Sequence, residues 1–266
     1  MKIRYSIFDP TGNITILVKT PVPQQEQASV ARALMAREPA AEQVGFFTQE
    51  GPALRMAGGE FCGNASLCAA VQAAMEAEWP FLSVALRVSG AADLVTADVL
   101  QHMDGSWSGA VDMPRPRAVE TVRLPGAEAF SADALPVVRF DGISHVIVAK
   151  TGVTEADIRT AEELAPAWCR ALGADACGIL FLDRAASTMK PLVYVPEAGT
   201  LVWENSCASG TAAVCAWLAE EAGGAADVAL TQPGGALQAR MDADGKLRLR
   251  GNVRLLKETE AELSTD

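Results

Sequence analysis

Two short stretches carry the residues best suited to chemistry. Glu60-Phe61-Cys62-Gly63-Asn64-Ala65 and Glu204-Asn205-Ser206-Cys207-Ala208-Ser209-Gly210-Thr211 each place a cysteine, Cys62 or Cys207, at the start of an apolar, alanine-rich run with helical spacing. A helix start presents unpaired N–H groups and the positive end of the macrodipole, which favour a thiolate and attract a carboxylate. The amides of Gly63 and Asn64 and of Ala208 and Ser209 are therefore candidate carboxylate binders. Glu204 is a candidate for a substrate ammonium group, the alternative being that it and Glu60 only stabilise the helix starts. A carbon acid held between a thiolate and a thiol could lose a proton from one face and regain one on the other, as a two-base racemase requires. Two other uses of the thiols are a dithiol redox pair and a binding site without catalysis.

Composition narrows the field. The chain has 266 residues, half of them apolar, enough to bury a large core. A formal charge of −11 with no basic cluster argues against nucleic-acid or anionic-membrane partners. Met1 to Phe8 alternates polar and apolar residues and does not read as a signal peptide, and no apolar run reaches membrane-spanning length. A cytoplasmic, reducing location is expected, with the six cysteines as thiols. Two histidines and wide cysteine spacings predict no metal site. Cys68, Cys169, Cys177 and Cys215 read as small buried hydrophobes and His102 as an exposed turn residue, while Trp203 is a candidate pocket wall.

The elements that must position the two cysteines occur twice in the same order, giving an α/β (α+β) chain of two pseudo-symmetric repeats. In each, two strands lead to a helix, further strands (two in the first repeat, three in the second) lead to the cysteine and its helix, and three strands follow. The first repeat is read as residues 1–116, with the tail 252–266 returning to it, and the second as 117–251. The junction lies between about Pro114 and Arg123. Aligning Phe8-Asp9 with Phe140-Asp141 pairs Asn13 with His145, so both become candidate site residues. A helix apolar nearly all round is expected to be enclosed by strands.

Around these residues the chain resembles the diaminopimelate epimerase family of cofactor-independent amino-acid racemases. The likeness runs through nearly the whole chain but is specific in Thr11-Gly12-Asn13, Cys62-Gly63-Asn64-Ala65 to Cys68, Ser144-His145 and Cys207-Ala208-Ser209-Gly210. It implies two domains, each of strands wrapped around a central helix, with catalytic Cys62 and Cys207, no cofactor, and a homodimer. It also implies substrate contacts from Asn13, Gly63, Asn64, His145, Ala208 and Ser209. The asparagines and arginine that hold the far end of diaminopimelate in that family are replaced at Met56 to Gly59, Ile143, Cys177 and Val195-Pro196. That leaves a simpler α-amino acid as substrate, with diaminopimelate as the alternative. Gly58-Gly59-Glu60-Phe61-Cys62-Gly63-Asn64-Ala65 and Val202-Trp203-Glu204-Asn205-Ser206-Cys207 look most like the histidine-racemising branch, which supplies D-histidine for opine-type metallophores.

Overall fold

A computed structural model of the chain describes residues 1–263. They fall into two compact units, Met1–Asp112 together with the chain from Leu249 onward, and Met113–Arg248. In chain order the first unit holds β1 (Lys2–Asp9), β2 (Thr15–Val18), α1 (Gln24–Arg37), β3 (Gln43–Thr48), β4 (Ala53–Met56), α2 (Gly63–Glu76), β5 (Phe81–Val88), β6 (Val95–Gln101) and β7 (Trp107–Met113). The second holds β8 (Ala118–Val122), β9 (Leu135–Arg139), β10 (Ile143–Ala149), α3 (Glu155–Leu172), β11 (Ala176–Asp183), β12 (Thr188–Val195), β13 (Thr200–Trp203), α4 (Ala208–Ala222), β14 (Ala226–Gln232) and β15 (Gly235–Met241). The last strand, β16 (Leu247–Glu262), supplies most of its length to the first unit.

In the first unit the strands follow the order β1-β2-β3-β4-β5-β6-β7-β16, and β16 pairs back onto β1, closing an eight-stranded barrel. The β2–β3 and β4–β5 pairs are parallel. Every residue of α2 from Gly63 to Ala74 is buried, and the helix packs against β2, β4, β5 and β6. Its alanines explain the fit, since a helix with short side chains on all faces can be approached by strands from every side. Outside, Val30, Ala31 and Leu34 of α1 cover Ile3, Tyr5, Ile7, Ile16, Val18, Val44 and Phe46. The strands next to α1 are thus buried on both faces, so Ser6 and Phe8 are as buried as Ile3 and Tyr5.

The second unit runs β8-β9-β10-β11-β12-β14-β15, with β13 added to β12. The β10–β11 and β12–β14 pairs are parallel. Here α4 lies against β8, β9, β10, β14 and β15, and α3 covers the opposite face of the central strands. Trp168, Ala161, Ala165 and Leu172 of α3 share a core with Val146, Val148, Ile179 and Phe181. With layers on both sides, β11 is buried continuously from Ala176 to Leu182, as expected of a strand that pairs in parallel.

Two segments differ from the sequence reading. Pro114 to Arg123, read as a junction, contains β8, which pairs with β9. Its residues are only partly buried, so hydrophobic alternation gives little signal. The tail from Asn252 is not a separate element but continues the strand begun at Leu247. Charged residues through this strand, among them Arg254, Lys257, Glu258 and Glu260, mask a periodicity kept by Leu249, Val253 and Ala261.

Helix α3 begins with a capping box. Thr154 N and Oγ1 donate to Asp157 Oδ2 at 2.8 and 2.6 Å, and Asp157 N donates to Thr154 Oγ1 at 3.2 Å. Lys150 Nζ sits 2.9 Å from Asp157 Oδ1. The Thr154 hydroxyl, followed by the Lys150 ammonium, holds the Asp157 carboxyl down at about 2. A depressed folded-state pKa stabilises above the unfolded value near 4, and that contribution is lost as pH falls toward 2. Asp157→Asn is expected to cost on the order of 1–2 kcal/mol at pH 7, with the difference from wild type shrinking between about pH 4 and pH 2. Urea unfolding of both proteins across that range measures it, and a pH-independent difference would refute the assignment.

Candidate active site

Cys62 is the N-cap of α2, with extended backbone (φ −134°, ψ 115°). Its Sγ accepts from Ala65 N at 3.4 Å, and its carbonyl accepts from Ser66 Oγ at 2.7 Å. The loop that delivers it is pinned by Ser89, whose Oγ accepts from Met56 N at 2.9 Å and donates to Glu60 O at 2.8 Å. Gly90 follows at φ +72°, and any side chain there would overlap the Phe61 backbone. The turn after β5 can press on this loop because residue 90 is glycine.

The thiol of Cys62 donates to Gln43 Oε1 at 3.1 Å. Gln43 Nε2 donates to Asn13 Oδ1 at 2.6 Å and to Thr15 Oγ1 at 2.7 Å, and Asn64 Nδ2 reaches Asn13 Oδ1 at 3.2 Å. Asn13 Nδ2 in turn donates to Glu42 Oε2 at 2.6 Å. Asn13, Asn64 and Cys62, singled out in the sequence, are therefore brought together. Glu42, Gln43 and Thr15 were not. A signal existed, since Gln43 is an amide at the head of the apolar run Val44 to Phe47, and the parallel β2–β3 ladder sets it opposite Thr15.

Cys207 is the N-cap of α4, again extended (φ −115°, ψ 108°), with Sγ accepting from Gly210 N at 3.3 Å. Its own N–H donates to Gln232 Oε1 at 2.8 Å, and its carbonyl accepts from Thr211 Oγ1 at 2.8 Å. Gln232 Nε2 closes the loop onto Thr211 Oγ1 at 2.9 Å. A buried glutamine at the end of β14 thus fixes the start of α4, another residue that sequence reading missed. Ala208 and Ser209 form the first turn of α4, as Gly63 and Asn64 do in α2.

His145 on β10 joins this half through Ser209. Its Nε2 lies 2.9 Å from Ser209 Oγ, which lies 3.6 Å from Cys207 Sγ. The ring is fully buried, with the Phe140 ring edge-on at 6.3 Å, and Nδ1 has no hydrogen-bond partner among the described residues. Burial drives its pKa down to about 3, so the imidazole is neutral at physiological pH. Gly178 lies directly across the parallel β10–β11 ladder, where a Cβ would overlap the ring at Nδ1.

Two expectations change. Strand register does not match His145 to Asn13. His145 faces Val138 across β9–β10 and Gly178 across β10–β11, whereas Leu17 faces Ser6 and Gly45 in the same positions of the first unit. Asn13 precedes β2, in a turn longer than the one before β10, which is why alignment through Phe-Asp misplaces it. At Cys207 the helix start does not prevail, because burial, followed by the charge of Glu204, pushes the thiol well above its ordinary value. Trp203 is half-buried, its Nε1 donating to Glu162 Oε1 at 2.7 Å and its ring stacking on Phe181.

The family model described as the histidine racemase CntK N-terminal domain matches residues 2–261. A histidine racemase of Staphylococcus aureus is 32% identical over 250 residues, covering 88% of this chain and 87% of that protein. Among solved structures, one described as a predicted epimerase from Pseudomonas aeruginosa has a TM-score of 0.71 at 19% identity, covering 99% of this chain and 100% of its own. A hydroxyproline epimerase from Agrobacterium vitis, with bound trans-4-hydroxy-L-proline, has a TM-score of 0.68 at 12% identity, covering 98% of this chain and 93% of its own. The structures establish the shared epimerase-like fold, and the sequence matches establish the family. The chain belongs to the histidine racemase family, amino-acid isomerases on that fold.

Proposed function

We propose that this protein interconverts L- and D-histidine without a cofactor, using Cys62 and Cys207 as the two exchanging groups. The observation that carries the reading is that each unit makes its cysteine the N-cap of an enclosed helix, with a helix-start N–H directed at the sulfur. In this scheme the substrate α-carboxylate accepts from the amides of Gly63, Asn64, Ala208 and Ser209, which also stabilise the negative charge that grows on loss of the α-proton. Glu204 receives the ammonium group, with Asn13 and His145 among the residues that shape the remainder of the site.

The proton balance is simple. One cysteine, as thiolate, takes the α-proton and becomes a thiol, while the other gives its S–H proton to the opposite face of the carbanion and becomes a thiolate. The enzyme is then set for the reverse direction. Burial favours the thiol form at Cys207. Neutral His145 supports Ser209 without placing a second positive charge beside the substrate ammonium.

The D-histidine formed would serve opine-type metallophore assembly, the use implied by the family resemblance. Also within this proposal are a homodimer and a cytoplasmic setting, the latter supported by six cysteines none of which is in a disulfide. Among the described residues, no helix is long and apolar enough to cross a membrane.

Incubation of the enzyme in deuterium oxide with each of the twenty amino acids and diaminopimelate is expected to label and racemise histidine. Labelling of diaminopimelate alone would overturn the substrate assignment. Cys62→Ser and Cys207→Ser are each expected to reduce two-way racemisation by at least about 10²-fold, the usual contribution of one positioned acid or base. Chiral chromatography reads that loss, and full racemisation by both variants would rule out two-base chemistry. Gly178→Ala is expected to displace the His145 ring and lower kcat severalfold while the thermal transition stays cooperative. Unchanged kcat would show that the His145–Ser209 contact is dispensable.

A further inference from the structure

The polar side chains beside Cys62 form a chain whose direction is set by groups that can only accept. Cys62 donates to Gln43, Gln43 donates to Asn13, and Asn13 donates to Glu42, at 3.1, 2.6 and 2.6 Å. Asparagine and glutamine can each turn to present either a donor or an acceptor, so neither fixes the order by itself. A carboxylate can only accept. With Glu42 ionised, Asn13 must turn its NH2 toward Glu42 and its oxygen toward Gln43. Gln43 must then turn its NH2 toward Asn13 and its oxygen toward the sulfur. Two side branches agree with this direction. Thr15 commits its proton to Asn13 O at 2.9 Å, which leaves its oxygen to accept from Gln43, and Asn64 also donates to Asn13 Oδ1.

We propose that Glu42 is a positioning residue that acts through Asn13 and Gln43 to hold an amide oxygen, rather than an amide N–H, against Cys62 Sγ, thereby favouring the protonated thiol. The Ala65 amide at the helix start acts in the opposite sense, by donating to the sulfur at 3.4 Å. Cys62 is poised between an acceptor oriented by a distant charge and a donor supplied by the helix. The other titratable groups near it in this unit are Glu60 in the preceding loop, Arg55 beside Gly59, Cys68 further along α2, and Asp9 within electrostatic range of Cys68. None of these is altered by changing Glu42.

The proposal deepens the two-base reading, but it can be read without turnover. The probe is iodoacetamide, with the rate of alkylation at Cys62 followed by peptide mass spectrometry across pH. Glu42→Gln is expected to lower the pH midpoint by about one unit, which is about tenfold more thiolate well below the midpoint, whereas Glu42→Asp keeps it. Removing a negative charge could lower the midpoint through space alone, so the measurement is repeated in a Gln43→Met background. There Glu42→Gln is expected to add nothing. Asn13→Leu cuts the chain in the middle and is expected to reproduce the shift, which supplies the test if Glu42→Gln fails to fold. An unmoved midpoint in Glu42→Gln, or a shift that persists undiminished in Gln43→Met, overturns the proposal. Failure to racemise histidine would overturn the functional reading while leaving this result intact.

Discussion

Enclosing an apolar helix within strands is the constraint on which the rest depends. A buried helix start leaves backbone N–H groups that water cannot satisfy, so the fold must supply acceptors there. At both α2 and α4 the first acceptor is a sulfur, at 3.4 and 3.3 Å, where a serine or aspartate would usually cap. A thiol is a weak acceptor, so these caps contribute little to stability. The helices are held instead by burial of their alanine, valine and leucine faces, which leaves the cap position available for chemistry.

The two units treat the same cap differently. Around Cys207, Gln232 and Thr211 fix the backbone, a buried imidazole fixes Ser209, and the charge of Glu204 acts on the sulfur. Burial, followed by that charge, favours the thiol. Around Cys62, which is less buried, the support is a run of reorientable amides ending on a carboxylate. Desolvation is the largest influence on Cys207, whereas Cys62 faces an amide oxygen and a helix-start N–H, so equivalent positions in the chain meet different surroundings.

Much of the framework was legible because both regularities behind it are local. Helical spacing after each cysteine, and alternation in strands such as β1 and β6, show in the residues themselves. β8 was missed because a partly wet strand has weak alternation. The length of β16 was missed because its charges hide the apolar face that closes the barrel. Of the site residues, Cys62, Cys207, Asn64 and Ser209 follow from their place at a helix start. Gln43, Glu42 and Gln232 do not, since an amide or carboxylate at a strand end is ordinary until its partner from another element is known.

By itself the sequence determined which residues could exchange a proton, that they open enclosed helices, and that the elements occur twice, because composition and periodicity act over a few neighbouring residues. Only the tertiary structure decided what each sulfur faces. Hydrogen bonds such as Gln43 to Asn13 and Cys207 to Gln232 join residues 30 and 25 positions apart, and the burial that governs their charge is a property of the packed unit. The same physical reason explains His145, whose placement in the turn alignment suggested a partner for Asn13 but whose ladder position, over a glycine and against Ser209, made it a neutral buried support.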